Sequence, residues 1–486
     1  MNDIKKINKY INNLKNKYNL NIKIYNNEIL YKNNFKINIY LNEIKEKKIS
    51  YIINKYIKTA GRILYKRNFG KLVFLKIYDF NEYIQIYINK SFIPNIYFEK
   101  IKNINIGDIV GVEGFLFYTK TNELSIKCKK IILITKTLKI FPDKFHKIVN
   151  NKIIYRKRYL DLICNINSKN IFIVRHKIIN EIRNFLIKKK FIEVETPILQ
   201  NIPDGADAKP FETKLNFSEK KLYLRISPEL YLKKLIVGGF NKIFEINKNF
   251  RNEGISNIHN PEFTMIELYS SYVRYNKLIL LIQYLFKYIV KKIFNKKKIV
   301  YKDIEIDFNI PFKKISMKKS IYIYNKKLFN SIKDLNSKKK CIKILQNVTK
   351  KEYKNFNIRE IHYELFKNIV EKKIKYPTFI TNYPIEISPL SKKKSKNIAE
   401  RFELFIYGIE ICNGFSELND PLDQSNRFIN QISKNKDKMY NYEYIESLEY
   451  GLPPCSGLGI GIDRLIMLLT NSDNIKNVIL FPNLYY

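Results

Sequence analysis

The chain has 486 residues, room for two or three domains, and 45% of them are apolar, which excludes a disordered polymer. Lys and Arg number 89 against 45 Asp and Glu, a net charge of +44 that fits a polyanionic partner such as nucleic acid. The crowding of Lys, Asn, Ile, Tyr and Phe, with no Trp, is also what an A+T-rich coding sequence yields, so the charge permits a function without naming one.

In chain order, residues 1–57 are Asn- and Lys-rich and predict a short N-terminal helical extension. The start, MNDIKKINKY, has no apolar signal core and carries an early acid, so a cytoplasmic location is expected. Residues 58–140 change character: GRILYKR, KLVFLKIYDF, YIQIYI, DIVGVEGFLFY and LSIKCKKIILI are short β-rich runs split by polar or glycine turns, the pattern of a small β-barrel. Residues 141–169, opening with FPDKFHKI, read as a linker. From 170 to 486 strands and helices mix. Ile171, Val174, Ile178, Ile182 and Phe185 follow a helical period, and the strand FIEVETP stops at Pro197. Leu278–Phe294 is strongly apolar but interrupted by Gln283, Lys287, Lys291 and Lys292, which predicts a core helix and not a membrane span. Residues around 295–375 read as a Lys-rich helical insertion. Five scattered cysteines and four His offer no zinc-ligand spacing.

Four segments carry chemistry. In 242–269 two strands with a loop between them can gather Arg251, Glu253, His259, Phe263, Glu267 and Tyr269 around one site. Arg251 can grip a carboxylate and a phosphate, Phe263 offers a flat face to a purine, and His259 can donate to a phosphate oxygen. The alternative is an ordinary hairpin with half-buried polar groups, which would need partners for an Arg, a His and two Glu. In GLGIGIDRLIML (457–468), glycines at alternate positions bare one strand face, and Arg464 falls in the first turn of a helix, a phosphate-binding position. Close strand packing explains the same glycines equally well. RFELFIYGIEICNGFSELND (401–420) reads as a hairpin turning at Tyr407-Gly408. Pairing Ile406 with Ile409 sets Glu410 opposite Phe405 and diagonal to Glu403, and two such carboxylates suit Mg²⁺ with phosphates. Strict alternation aims Asn413, Phe415 and Glu417 away from Glu410, so one shared site needs a bulge near Cys412–Gly414. In DGADAKPF (204–211) and YLRISPELYLKKL (223–235), Gly205 and Glu229 sit at a turn and a helix start.

Together these segments resemble the three signature motifs of the class II aminoacyl-tRNA synthetases: KKFIEVETPIL the first, FRNEGISNIHNPEFTMIELY the second, GLGIGIDRL the third. The finer resemblance is to the lysyl-tRNA synthetase family, through PDKFHKI, YRKRYLDL, RISPELYLKKLIVGGF, PIEISPL and CNGFSELND. It implies an α+β protein: an N-terminal OB-fold β-barrel, then a class II antiparallel sheet flanked by helices, dimerising around Pro197. It implies substrates L-lysine, ATP and tRNA(Lys), with Mg²⁺ held by Glu403 and Glu410. Arg251 and Arg464 would be catalytic and bind ATP together with Glu253, His259 and Phe263. Gly205, Glu229, Glu267, Tyr269, Asn413, Phe415 and Glu417 would bind lysine. Three acidic side chains suit a dication, because a buried ammonium needs carboxylates. On the barrel, Arg67, Phe74, Gln85 and Glu123 would read a U-rich anticodon, although Phe74 fits a barrel-core position as well. The chain departs from the family pattern at Asp204, Asp207, Lys209 and Ile258. A stand-alone lysine ligase acting on protein would lack the 58–140 barrel. A non-catalytic RNA-binding paralogue would not keep Arg251, Glu403, Glu410 and Arg464.

Overall fold

The computed structural model describes residues 35–46, 53–79, 82–102, 104–139, 151–353, 355–435 and 438–484, besides Lys5 and Asn12. Most of the expected N-terminal extension and the first part of the expected linker, through residue 150, lie outside them. From Asn151 the linker stretch is helical, in Asn151–Arg156 and Arg158–Cys164. The chain forms two compact units, one of residues 1–154 with 159–169, the other of 155–158 with 170–486.

The first unit is a closed five-stranded barrel: β1 (Tyr56–Phe69), β2 (Leu72–Asp79), β3 (Glu82–Asn89), β4 (Ile109–Tyr118) and β5 (Leu124–Thr135), in the order β1-β2-β3-β5-β4, with helix α1 (Asn95–Lys102) between β3 and β4. β3 and β5 run parallel and the other pairs antiparallel. Period-two alternation builds it. Val73, Leu75, Ile77, Ile84, Ile86 and Ile88 point inward and are buried. Each such side chain contributes roughly 1.5–3 kcal/mol. Closure leaves no free sheet edge.

The second unit is built on an eight-stranded sheet. Its strands are β6 (Ile192–Glu193), β7 (Lys242–Phe250), β8 (Glu262–Ser271), β9 (Lys313–Ser316), β10 (Thr378–Thr381), β11 (Arg401–Ile406), β12 (Ile409–Ser416) and β13 (Cys455–Gly461), in the order β9-β10-β11-β12-β13-β8-β7-β6. The central pairings are antiparallel; only the edge strands β6 and β9 pair in parallel. Helices α2 (Ile166–Lys188), α3 (Glu229–Val237), α4 (Tyr275–Phe294), α5 (Tyr442–Glu449) and α6 (Ile462–Leu469) flank it. α2 buries Ile178, Ile182, Phe185 and Leu186, continuing the stripe read from the sequence. α4 is a core helix as expected, and no helix among the described residues is long and apolar enough to cross a membrane.

The insertion differs from its all-helical reading. Lys298–Tyr301 and Ile304–Asp307 form a hairpin, and Lys313–Ser316 joins the main sheet. Ile299, Tyr301, Ile304 and Ile306 alternate at period two and are buried, a signal hidden among lysines. The helices that follow enclose their own cluster around Phe329, Leu345, Leu365 and Phe366.

Candidate active site

One face of the sheet carries the site, and register puts its residues in rows. Glu267 pairs with Gly459, which pairs with Asn413, which pairs with Glu403. The next row runs Tyr269, Gly457, Phe415, Arg401. The β11–β12 turn is Tyr407-Gly408, both at positive φ (52° and 70°), and Ile406 pairs with Ile409 as read from the sequence. The bulge is present. Leu404 pairs with Cys412 but Phe405 with Glu410, so Ile411 is the extra residue. Ile411 and Cys412 both turn to the core, which returns Glu410, Asn413 and Phe415 to one face.

One end of the site is basic and aromatic. The Arg251 guanidinium lies 5.1 Å from the centre of the Phe263 ring. Its buried Nε has no hydrogen-bond partner among the described residues. Burial lowers the Arg251 pKa, while Glu410, Glu253 and Glu267 act against that. Arg464 Nη1 donates to the Glu410 carbonyl at 2.9 Å and lies 3.5 Å from its carboxylate. Arg464 Nη2 meets His259 Nε2 at 2.9 Å, and His259 Nδ1 meets Ser256 Oγ at 2.8 Å. Desolvation first, then the Arg464 charge, lowers the His259 pKa, so the ring is neutral, accepting from Arg464 and donating to Ser256. Glu253 is exposed in the loop between β7 and β8.

Glu403 is buried, with Oε1 2.6 Å from Arg401 Nη2 and Oε2 accepting from the Tyr383 hydroxyl at 2.8 Å. Arg401 also donates to Asn413 Oδ1 at 3.2 Å. Burial raises the Glu403 pKa, Arg401 opposes it, and Glu410 adds to it. Glu410 is the more exposed of the two carboxylates, at 40% for its side chain against 8%. No three His, Cys, Asp or Glu gather in metal-binding geometry among the described residues.

The other end is acidic and closed. Glu229, Glu267 and Glu417 are all buried. Ser227 Oγ donates to Glu267 Oε1 at 2.9 Å and the Tyr269 hydroxyl to Oε2 at 3.2 Å. Burial, and then Glu229, pushes the Glu267 pKa up to about 8. Burial raises Glu417 too, against the pull of Lys233. Lys233, on α3, is fully buried, with Nζ 2.7 Å from Glu229 Oε1 and 2.5 Å from Glu417 Oε2. Neither carboxylate oxygen of Glu417 has a partner in hydrogen-bond geometry among the described residues, although Lys233 stands close to Oε2. Gly457 makes room here: a Cβ would stand 2.3 Å from the Tyr269 ring and 2.6 Å from Glu417 Oε1. Gly205, at φ 87°, lies against Ser227 and Glu229, and Asp204 Oδ1 caps its N–H at 2.8 Å.

Every residue read from the sequence for the catalytic unit thus lies on or beside this face. Sequence reasoning missed Lys233, Ser227 and Tyr383, and gave Arg401 no role. The Glu229–Lys233 spacing of four on a helix was the available signal for Lys233.

On the barrel, Phe74 lies on the outer face, because Val73 and Leu75 take the interior; the core alternative does not hold. Phe69, Phe74, Tyr87 and Phe117 form a chain of edge-on rings with centroids 6.1, 5.5 and 5.7 Å apart. Arg67 pairs with Phe74 across β1 and β2, Gln85 donates to Ser125 at 3.0 Å, and Glu123 is exposed at the β4–β5 turn.

Comparison with known proteins agrees with this architecture. Residues 150–485 match the family of tRNA synthetases class II (D, K and N), and residues 57–134 match the OB-fold nucleic acid binding domain. The lysine–tRNA ligase of Buchnera aphidicola subsp. Schizaphis graminum is 52% identical over 89% of this chain and 87% of its own. That of Buchnera aphidicola subsp. Cinara cedri is 54% identical over 88% and 87%, and that of Wigglesworthia glossinidia brevipalpis 53% over 88% and 88%. With an OB-fold barrel, an antiparallel sheet carrying all three motifs and this degree of identity, the chain belongs to the class II tRNA synthetases, in the lysine–tRNA ligase family.

Proposed function

We propose that this protein activates L-lysine with ATP and transfers it to the 3′ end of tRNA(Lys). The observation that carries the reading is one sheet face that sets Glu267, Asn413 and Glu403 in one row and Tyr269, Phe415 and Arg401 in the next, with Arg464 bonded to Glu410 at one end and Glu229, Glu267 and Glu417 buried at the other. The lysine ammonium groups go to the acidic end, the ε-ammonium to Glu267, Tyr269 and Glu417, the α-ammonium to Glu229 and Gly205. Asn413 and Phe415 line the wall between. Arg251 holds the carboxylate and a phosphate, Phe263 stacks on adenine, Glu253 lies on the adenine side, and Arg464 with His259 meets the phosphates.

The lysine carboxylate attacks the α-phosphorus in line; the new O–P bond forms as the bond to pyrophosphate breaks. No general base is required, because the nucleophile is already ionised. Catalysis is positioning plus charge stabilisation. The terminal ribose hydroxyl then attacks the lysyl carbonyl and AMP leaves. Glu403 and Glu410 fit Mg²⁺: the two carboxylates share one face, Glu410 adds to the cost of ionising Glu403, and Glu410 is open to solvent. No third acidic, His or Cys ligand joins them among the described residues, so these two side chains would hold the ion with the nucleotide. Bound there, the ion would neutralise developing pyrophosphate charge.

Arg67, Phe74, Gln85 and Glu123 are proposed to read the anticodon, supported by the outward aromatic row. A homodimer is proposed as well, supported by Ile187, Ile192, Ile198 and Leu199, all exposed around Pro197. ATP–pyrophosphate exchange with each amino acid in turn, followed by charging of tRNA(Lys), tests the activity. Exchange is expected with lysine alone; exchange with another amino acid, or none at all, overturns it.

A further inference from the structure

The acidic end of the site holds a cation of its own. Lys233 Nζ is 2.7 Å from Glu229 and 2.5 Å from Glu417, while its side chain is 0% exposed. The same ammonium lies 5.4 Å from the centre of the Phe415 ring and 6.0 Å from that of Tyr444 on α5. A buried ion pair of this kind is weak evidence for stability, since apolar residues of like volume often serve as well. Both its partners are residues assigned above to the ligand.

We infer that Lys233 is a specificity-determining positioning residue that sets the charge of the amino-acid pocket to match a ligand with two ammonium groups. The inference rests on the lysine-activation reading. Three carboxylates, Glu229, Glu267 and Glu417, contribute minus three when ionised; Lys233 contributes plus one, and the sum is minus two. The two ammonium groups of lysine contribute plus two, and the ligand carboxylate is met by Arg251 outside this count. Without Lys233, a water-poor pocket would hold one uncompensated negative charge. Geometry assigns the division of labour. Lys233 Nζ faces Glu417 Oε2 as an ion pair, neither Glu417 oxygen has a partner in hydrogen-bond geometry among the described residues, and Oε1 lies against bare Gly457 beside Tyr269. Lys233 also ties α3 to the segment after β12, so the two carboxylates keep their spacing before the ligand arrives.

Lysine-dependent exchange kinetics on the full-length wild type, Glu417→Gln, Lys233→Met and the double variant test this. Glu417→Gln leaves the pocket at minus one; its lysine KM is expected to rise at least tenfold, with ATP KM within twofold. The double variant removes the ion pair whole and restores minus two, so its lysine KM is expected at least threefold below that of Glu417→Gln, despite the extra substitution. That comparison stands even where Lys233→Met alone does not fold, and a purely structural lysine would make the double variant worse. A double variant that binds lysine no better than Glu417→Gln, or that does not fold, overturns the inference. A wild type without lysine-dependent exchange overturns the activation reading first, and this with it.

Discussion

Arg251 has a buried, unpartnered Nε while its guanidinium lies over the Phe263 ring. Truncation removes the charge proposed to touch both substrates, so Arg251→Ala is expected to lower exchange by at least about a hundredfold, the cost of one preorganised donor. Thermal unfolding should move little, which separates a catalytic loss from a folding one. Glu267 supplies a pH signature. Its carboxyl titrates at about 8 because it is buried and faces Glu229, so below that pH the ligand-free protein carries a proton there. An arriving ammonium favours the ionised form and expels the proton. Lysine KM should therefore fall as pH rises from about 6 to about 8 and level off above. Glu267→Gln should weaken that arm of the profile, to which buried Glu417 also contributes, and raise KM throughout. Folding feels the opposite sign: the unfolded chain ionises this group near 4.5, so the ligand-free protein loses stability as pH climbs from there to about 8.

Among the elements, β13 is built to be empty on one side. A Cβ at position 457 would collide with the Tyr269 ring and Glu417 together, so Gly457→Ala should raise lysine KM more than tenfold and leave ATP KM near its starting value. The outer face of β2 makes a separate prediction. If Phe74 stacks on an unpaired base, Phe74→Ala loses about 1–3 kcal/mol of tRNA binding, roughly five- to 150-fold in the tRNA KM, with exchange untouched. What could be read beforehand follows the strength of local patterns. The turn at Tyr407-Gly408 was legible because two residues between alternating strands leave few geometries. Phe74 could be given its face only once Val73 and Leu75 were known to fill the barrel. The hairpin at 298–307 hid under lysines, whose charge suggested surface helix. Lys233 was hidden for a related reason: in YLKKL one lysine is half-buried and paired with Glu443 while its neighbour is fully buried, and only tertiary packing tells them apart.

At the scale of the whole molecule, the net charge of +44 and the two chemistries separate by salt. Binding a polyanion releases counterions, whereas the carboxylates proposed to meet lysine are buried. Raising salt from about 50 to about 200 mM should raise the tRNA KM at least tenfold and change the lysine KM of exchange less than twofold. A tRNA KM indifferent to salt would assign the excess lysines to codon usage alone. The single extra residue at Ile411 sets a different kind of limit. Ahead of it stands Glu410, proposed for the nucleotide end; after it stand Asn413 and Phe415, proposed for the amino acid. Excising that one position would close the ladder to strict alternation and keep Asn413 and Phe415 on the working side, because Leu404–Cys412 and Phe405–Glu410 would become successive pairs. A strand shortened there should therefore still present the same side chains, whereas one further residue, with no second bulge to absorb it, would turn them to the core.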